Sequence, residues 1–276
     1  MKSLQALFFV LASSGLTSAA TFWGVTDGNN LVSFDSANPG TFLTTTSISG
    51  LVASDGVTAD PYASIVNLSY NPATGRFTGI DTNANIYQVA QTGDAVLLSN
   101  VFAPAGYDAG LAYDSFTGGF MYADDAGDRF NINNAGVASS VGSAYYATGD
   151  INELTAPSIS GLAIDPDFGT AFFLDASLGI IAQALDPDAL ELFTLGDLGV
   201  SITSYGDLGF DLDGNLYASL STDGLSSGFY AIDQLNGSAS LIGSFGQGVT
   251  TITIPEPSST LLGAFGIMFL LRRRRA

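Results

Sequence analysis

The residues of this 276-residue chain whose type and spacing could do chemistry are carboxylates: it has 26 Asp and Glu, no Cys and no His. Lacking Cys and His, it cannot build a Ser-His-Asp triad, an imidazole zinc site, a thiolate nucleophile or a disulfide. Catalysis would rest on carboxylates, Tyr or Ser. Asp211-Leu212-Asp213-Gly214-Asn215 opens like a calcium loop. An EF-hand, however, needs Gly at its sixth place and Glu at its twelfth; here Gly is fourth and the twelfth is Thr222. Asp165-Pro166-Asp167 and Asp186-Pro187-Asp188 share the short spacing. Asp124-Asp125-x-x-Asp128 packs three carboxylates into five residues, where like charges raise one another's pKa unless screened or metal-bound. Asp124, Asp125, Asp128, Asp211 and Asp213 are thus the candidate Ca²⁺ ligands. Hairpin turns and a solvated acidic loop explain the same residues and are the preferred reading.

Charge narrows the partners. Between Thr21 and Ile254 only Arg76 and Arg129 are basic, against 25 acidic residues, a net charge of −23. Such a body repels phosphate backbones and anionic lipid, which excludes nucleic acid and leaves divalent cations and neutral surfaces. Tyr145-Tyr146, in the long segment 143–157 beside Glu153, could stack on sugar rings or form a lid packed on the neighbouring strands. Trp23, in register with Phe22 and Val25, reads as core.

A repeated pattern positions these groups. It reads LSYNPATGRFTGID from Leu68, LAYDSFTGGFMYAD from Leu111, LAIDPDFGTAFFLD from Leu162 and LGFDLDGNLYASLS from Leu208, spaced 43, 51 and 46 residues apart. Each copy runs a strand into Asn71, Asp114, Asp165 or Asp211, then a tight turn with Gly75, Gly118, Gly169 or Gly214. Asx caps its own turn and Gly takes the positive-φ place. Two further strand-like runs follow each hairpin, such as NIYQVA and AVLLSN in the first copy. Four antiparallel strands per unit is a propeller blade.

Residues 21–50 supply only three strands, and the missing one is available at Thr250 to Ile254. Placed beside Phe22 to Val25, it would close the ring and remove its exposed edges. The expected fold is therefore all-β, a five-bladed propeller over residues 21–254, with an open sandwich as the competing architecture. Glycoside-cleaving propellers use a carboxylate pair or trio at the channel. The set Asn71, Asp114, Asp165 and Asp211 recurs at a turn in every copy, whereas catalytic residues break symmetry, so the domain reads as non-enzymatic.

The two ends read as addresses. Residues 1–20 carry Lys2, an apolar core Leu4 to Ala12 and small residues ending Ser18-Ala19-Ala20: a secretory signal with cleavage after Ala20 or Ala19. At the other end come Pro255-Glu256-Pro257, Ser258, an apolar stretch Leu261 to Leu271, then Arg272, Arg273, Arg274 and Arg275. As a helix the fourteen residues 258–271 reach about 20 Å, short of a roughly 30 Å hydrocarbon core, so they suit transient residence in the inner membrane, the arginines staying cytoplasmic.

That order resembles the PEP-CTERM sorting signal of Gram-negative bacteria, which accompanies an N-terminal signal peptide and is thought to be processed by the membrane enzyme exosortase. The resemblance covers residues 255–276 and implies exosortase as a partner, with delivery to the cell surface or exopolysaccharide matrix. Gly24, Thr26, Leu31, Phe34, Pro39 and Gly40, with Asn29 or Asn30 and the later Asn71-Pro72-Ala73-Thr74-Gly75-Arg76, resemble an uncharacterised family of secreted bacterial repeat domains. That likeness implies a fold and no activity. The expectation is an exported, cofactor-free structural or adhesive propeller. A Ca²⁺-dependent glycan-binding module and a carboxylate glycosidase are the alternatives.

Overall fold

The computed structural model describes residues 19–72, 74–106, 108–186 and 188–255, and among them there are twenty-one strands and no helix. The chain opens with β1 (Thr21–Thr26), β2 (Asn30–Asp35) and β3 (Asn38–Ser47). A second blade comprises β4 (Ile65–Asn71), β5 (Arg76–Asp81), β6 (Ile86–Val89) and β7 (Ala95–Ser99). The third is β8 (Ala109–Asp114), β9 (Gly119–Asp124), β10 (Asp128–Ile132) and β11 (Ala138–Ser143). After the short β12 (Tyr145–Tyr146) comes the fourth: β13 (Ile159–Ile164), β14 (Ala171–Asp175), β15 (Ile180–Ala184) and β16 (Glu191–Asp197). The fifth is β17 (Gly206–Phe210), β18 (Leu216–Leu220), β19 (Gly228–Ile232) and β20 (Ala239–Ser244), and β21 (Val249–Thr253) ends the series.

β21 pairs antiparallel with β1, so the first blade reads β21-β1-β2-β3 and its innermost strand comes from the far end of the chain. The innermost strands β4, β8, β13, β17 and β21 touch in that order, and β21 touches β4 again. The ring of five blades is closed. Closure sits one residue earlier than the sequence suggests, with Gly24 opposite Ile252 and Val25 opposite Thr251. Gly24 is required there: a Cβ would meet the Thr251 carbonyl oxygen at 2.6 Å.

Blades stack face to face, so inner strands are apolar on both faces and the alternation returns only towards the rim. Every residue of β13 (ISGLAI) and β14 (AFFLD) is buried, while the outermost β20 (ASLIGS) has none buried. The core is accordingly five clusters, one at each blade–blade interface. Between the fifth and first blades, Phe22, Phe34, Phe229 and Phe245 pack with ring centroids 4.8–5.9 Å apart. Trp23 is half-buried against Phe77 at the first–second interface, less enclosed than the core position expected of it. The turn glycines Gly75, Gly118, Gly169 and Gly214 adopt φ of 68°, 72°, 73° and 77°, the left-handed region their place demands.

The long segment 143–157 contains a strand that its sequence does not signal. Tyr145 and Tyr146 form β12, which pairs in parallel with β16 opposite Glu191 and Leu192 and gives the fourth blade a fifth strand. A parallel edge pairing needs no hairpin turn and leaves no turn signal in sequence. The signal peptide expected at the start, through Ser18, and the segment from Glu256 to Ala276, where a sorting helix and arginine cluster are expected, lie outside the described residues. No helix among the described residues is long and apolar enough to cross a membrane.

Candidate functional site

The recurring Asx residues stand at the ends of the innermost strands; the three aspartates face their own turns, and Asn71 reaches the next blade. Asp114 accepts from Phe116 N (2.8 Å) and the Thr117 hydroxyl (2.7 Å). Asp165 accepts from Asp167 N and Phe168 N at 2.8 and 3.1 Å. Asp211 takes Asp213 N and Asn215 N on Oδ1, and the Asn215 amide and Tyr217 hydroxyl on Oδ2. Asn71 donates to Asn134 Oδ1 at 2.7 Å. These groups are occupied by architecture, since a buried carboxylate without donors would cost several kcal/mol.

A second set, unremarked in the sequence reading, ends the next strand outward. Asp81, Asp124 and Asp175 close the copies quoted above, Ser221 closes the fourth, and Thr26 takes the place in the first blade. Asp124 is enclosed and accepts from Gly106 N, Ala126 N and Asp128 N at 2.8–3.1 Å. Burial pushes its carboxyl up from the ordinary range, as it does that of Asp81. Asp128 accepts the Ser143 hydroxyl at 2.8 Å, and Asp125 donates its backbone N–H to the Asp108 carbonyl. Asp213 is exposed at the turn that Asp211 caps. Among the described residues no three acidic side chains converge closely enough to hold a metal ion.

The paired tyrosines separate. Tyr145 is half exposed, whereas Tyr146 is buried and its hydroxyl donates to Asp175 Oδ2 at 2.7 Å, so Tyr146 is no surface contact for a glycan. Successive strand residues point to opposite faces, and only one of the pair can face solvent. Glu153 is exposed and accepts from Gly149 N.

One carboxylate does break the symmetry of the ring. Four residues before the turn caps stand Asn67, Gly110, Gly161 and Asp207, with Thr251 in the closing strand. Asp207 is buried, and its Oδ2 accepts from the Thr251 hydroxyl (2.7 Å) and from Ile252 N (3.0 Å). The Thr251 hydroxyl in turn accepts from Leu68 N at 3.1 Å. Fifth blade, closing strand and second blade are thereby linked in one chain of hydrogen bonds. Burial pushes the Asp207 carboxyl up to about 7. Its trace in the sequence is a single charge within the apolar strand GDLGF.

Where the innermost strands end, the axis opens into a funnel of about 90 Å³. Its walls are small or apolar, among them Ser69, Ala112, Ala163, Gly209 and Thr253, and Asp211 is the carboxylate among its described lining residues. Retaining glycoside hydrolysis needs two carboxyl groups about 5 Å apart, an arrangement this lining does not supply. Ile254 lies in the funnel wall, so Pro255, the first residue of the sorting motif, leaves the domain at its mouth.

The fold and the tail each have relatives. No curated protein matches the chain. Among solved structures it is similar to a nidogen/laminin complex, at 12% identity and a TM-score of 0.53 over 86% of this chain and 98% of that one. It is also similar to a structural genomics protein of unknown function from Bacteroides thetaiotaomicron, at 12% identity and a TM-score of 0.51 over 85% of this chain and 63% of that one. Likeness at that identity shows the fold alone. Residues 253–275 match the PEP-CTERM protein-sorting motif, which implies an exported, exosortase-processed chain. Residues 30–254, reaching from β2 through the closing strand, match the family described as Domain of unknown function (DUF4394), and to that family this chain belongs.

Proposed function

We propose that this is a sorted protein of the bacterial cell surface or exopolysaccharide matrix, whose propeller has a structural or adhesive role and no catalytic one. The observation that carries the reading is the continuity of tag and fold. The sorting match begins at residue 253, the last residue of innermost strand β21, so the tag leaves the ring on its axis. Processing there would leave a closed five-bladed domain in which β21 stays paired with β1, and β1 with both β21 and β2. The small, apolar funnel and the occupation of the recurring Asx side chains by their turns support a passive scaffold. A strongly negative body resists polyanionic partners and favours solubility outside the membrane.

The test is to follow the protein in its native host with and without exosortase. The expected outcome is release from the inner membrane with a shortened C-terminus in the first strain and retention of the uncut chain in the second. Retention in both strains refutes the sorting reading.

A further inference from the structure

One place on the funnel face breaks the blade repeat in side chains rather than in backbone. The turns after Asp114 and Asp165 carry Phe116 and Phe168, whereas the turns after Asn71 and Asp211 have small or polar residues in the corresponding places, Thr74 and Asp213 among them. The third and fourth blades are neighbours, so the two rings line one cleft of about 320 Å³ together with Leu185. They are 64% and 81% exposed, and Leu185 is 69% exposed. Ordinary burial does not account for three large apolar side chains left in water around one hollow.

The turns that carry the rings are held in place. Phe116 N and Phe168 N are both fixed by the carboxylates that cap their turns. The Phe116 ring lies over Gly169, where a Cβ would come within 3.1 Å of it. Asp114, Asp186 and Asp188 line the same cleft. Asp186 accepts from Asp188 N, and Asp188 from the Asn131 amide at 3.4 Å. The nearby cation is beneath the surface: Arg129 is buried, stacks over Phe173 and donates to the Ala189 carbonyl.

We propose that this cleft binds an aminoglycan, a chain of hexosamine units bearing free, protonated amines. A pyranose ring presents an apolar C–H face that an exposed Phe can cover. An ammonium group beside it gains from both the ring faces and the carboxylates. The same carboxylates, on a body of charge −23, repel uronate or sulfated chains. The cleft has the size of a ligand pocket for one or two sugar units. This inference rests on the adhesive reading above and gives it a ligand. Its test is a binding measurement on purified protein, and so stands apart from localisation in the host.

The experiment titrates the full chain in detergent with glucosamine tetramer, N-acetylglucosamine tetramer and tetragalacturonate, read by calorimetry. Saturable binding of the free-amine tetramer is expected, at least about fivefold weaker for the N-acetylated one and none for the uronate. The double variant Phe116→Ala, Phe168→Ala should lose about tenfold or more in affinity, one decade per 1.4 kcal/mol, with an unchanged melting temperature. Leu235→Ala, on a distant loop of the fifth blade, should change nothing. Undiminished binding by the double variant would reduce the effect to general charge attraction and overturn the proposal. So would absence of free-amine binding, or a self-association that the Phe changes abolish, which would make a second copy the occupant.

Discussion

Two junctions of the ring solve different problems. Where the fifth blade meets the closing strand and the second, the contact is small and polar at its centre: Asp207 to Thr251, Thr251 to Leu68. Where the third meets the fourth, the centre is a buried cation, Arg129 over Phe173, with the exposed phenylalanines above it. Ring closure recruits a strand 223 or more residues away in the chain, and directional hydrogen bonds specify which strand it is. The third and fourth blades are successive in sequence and need no such specification. Their departures from the repeat are free to serve the surface.

The most disruptive way to break this comparison is to remove residues 249–276. The closing junction should fail entirely, leaving β1 paired only with β2 and stripping β17 and β4 of the strand between them, and the cooperative melt seen by circular dichroism should vanish. A truncated chain that melts like the full one would show that closure is ornamental.

A finer probe is Asp207→Asn. Burial holds the Asp207 proton to about pH 7 in the folded state, while the unfolded chain releases it near 3.8. The folded state then binds more protons at this group between those values, so its contribution to stability is fully present below about pH 4 and is lost as pH rises to about 7. The loss attributable to this one group is up to about 4 kcal/mol. The Asn variant should lack that slope, so the difference between the two denaturation midpoints should grow across this window and level off above it. Parallel curves would remove Asp207 as a buried ionisable group.

Arg129→Ala addresses the other junction. It deletes the stack on Phe173 and leaves the Ala189 carbonyl without this donor; an expected cost of about 3 kcal/mol follows from emptying a buried, bonded site. Burial lowers the guanidinium to about 10, still charged at neutral pH, so its contribution should be constant from pH 5 to 8. A loss below about 1 kcal/mol by urea denaturation would mean that the third and fourth blades are held by their apolar cluster alone.

Much of the architecture was readable because the propeller repeats its local chemistry. Asx at the strand end and Gly three or four places later mark the inner hairpin of four blades, and in three of them the Asp acts through its own turn. The acidic candidates belong to that chemistry too: Asp211 binds Asp213 N and Asn215 N, a contact within five residues. The readings that changed involve distant partners. Tyr146 cannot be told from Tyr145 without knowing that β16 lies alongside and that Asp175 receives its hydroxyl. The phenylalanine pair is visible in the sequence as two turns, but the cleft exists only because blades three and four place those turns together.

The amino-acid sequence by itself determined the repeated strands, their turns and the C-terminal sorting motif, because each is written in residues close along the chain, and counting the repeats left one strand to be supplied from the far end. Tertiary structure alone decided which carboxylate would be buried at the ring closure and which aromatic rings would share a surface. Desolvation and cleft geometry depend on groups brought together from different blades, and no local pattern encodes how much water they exclude.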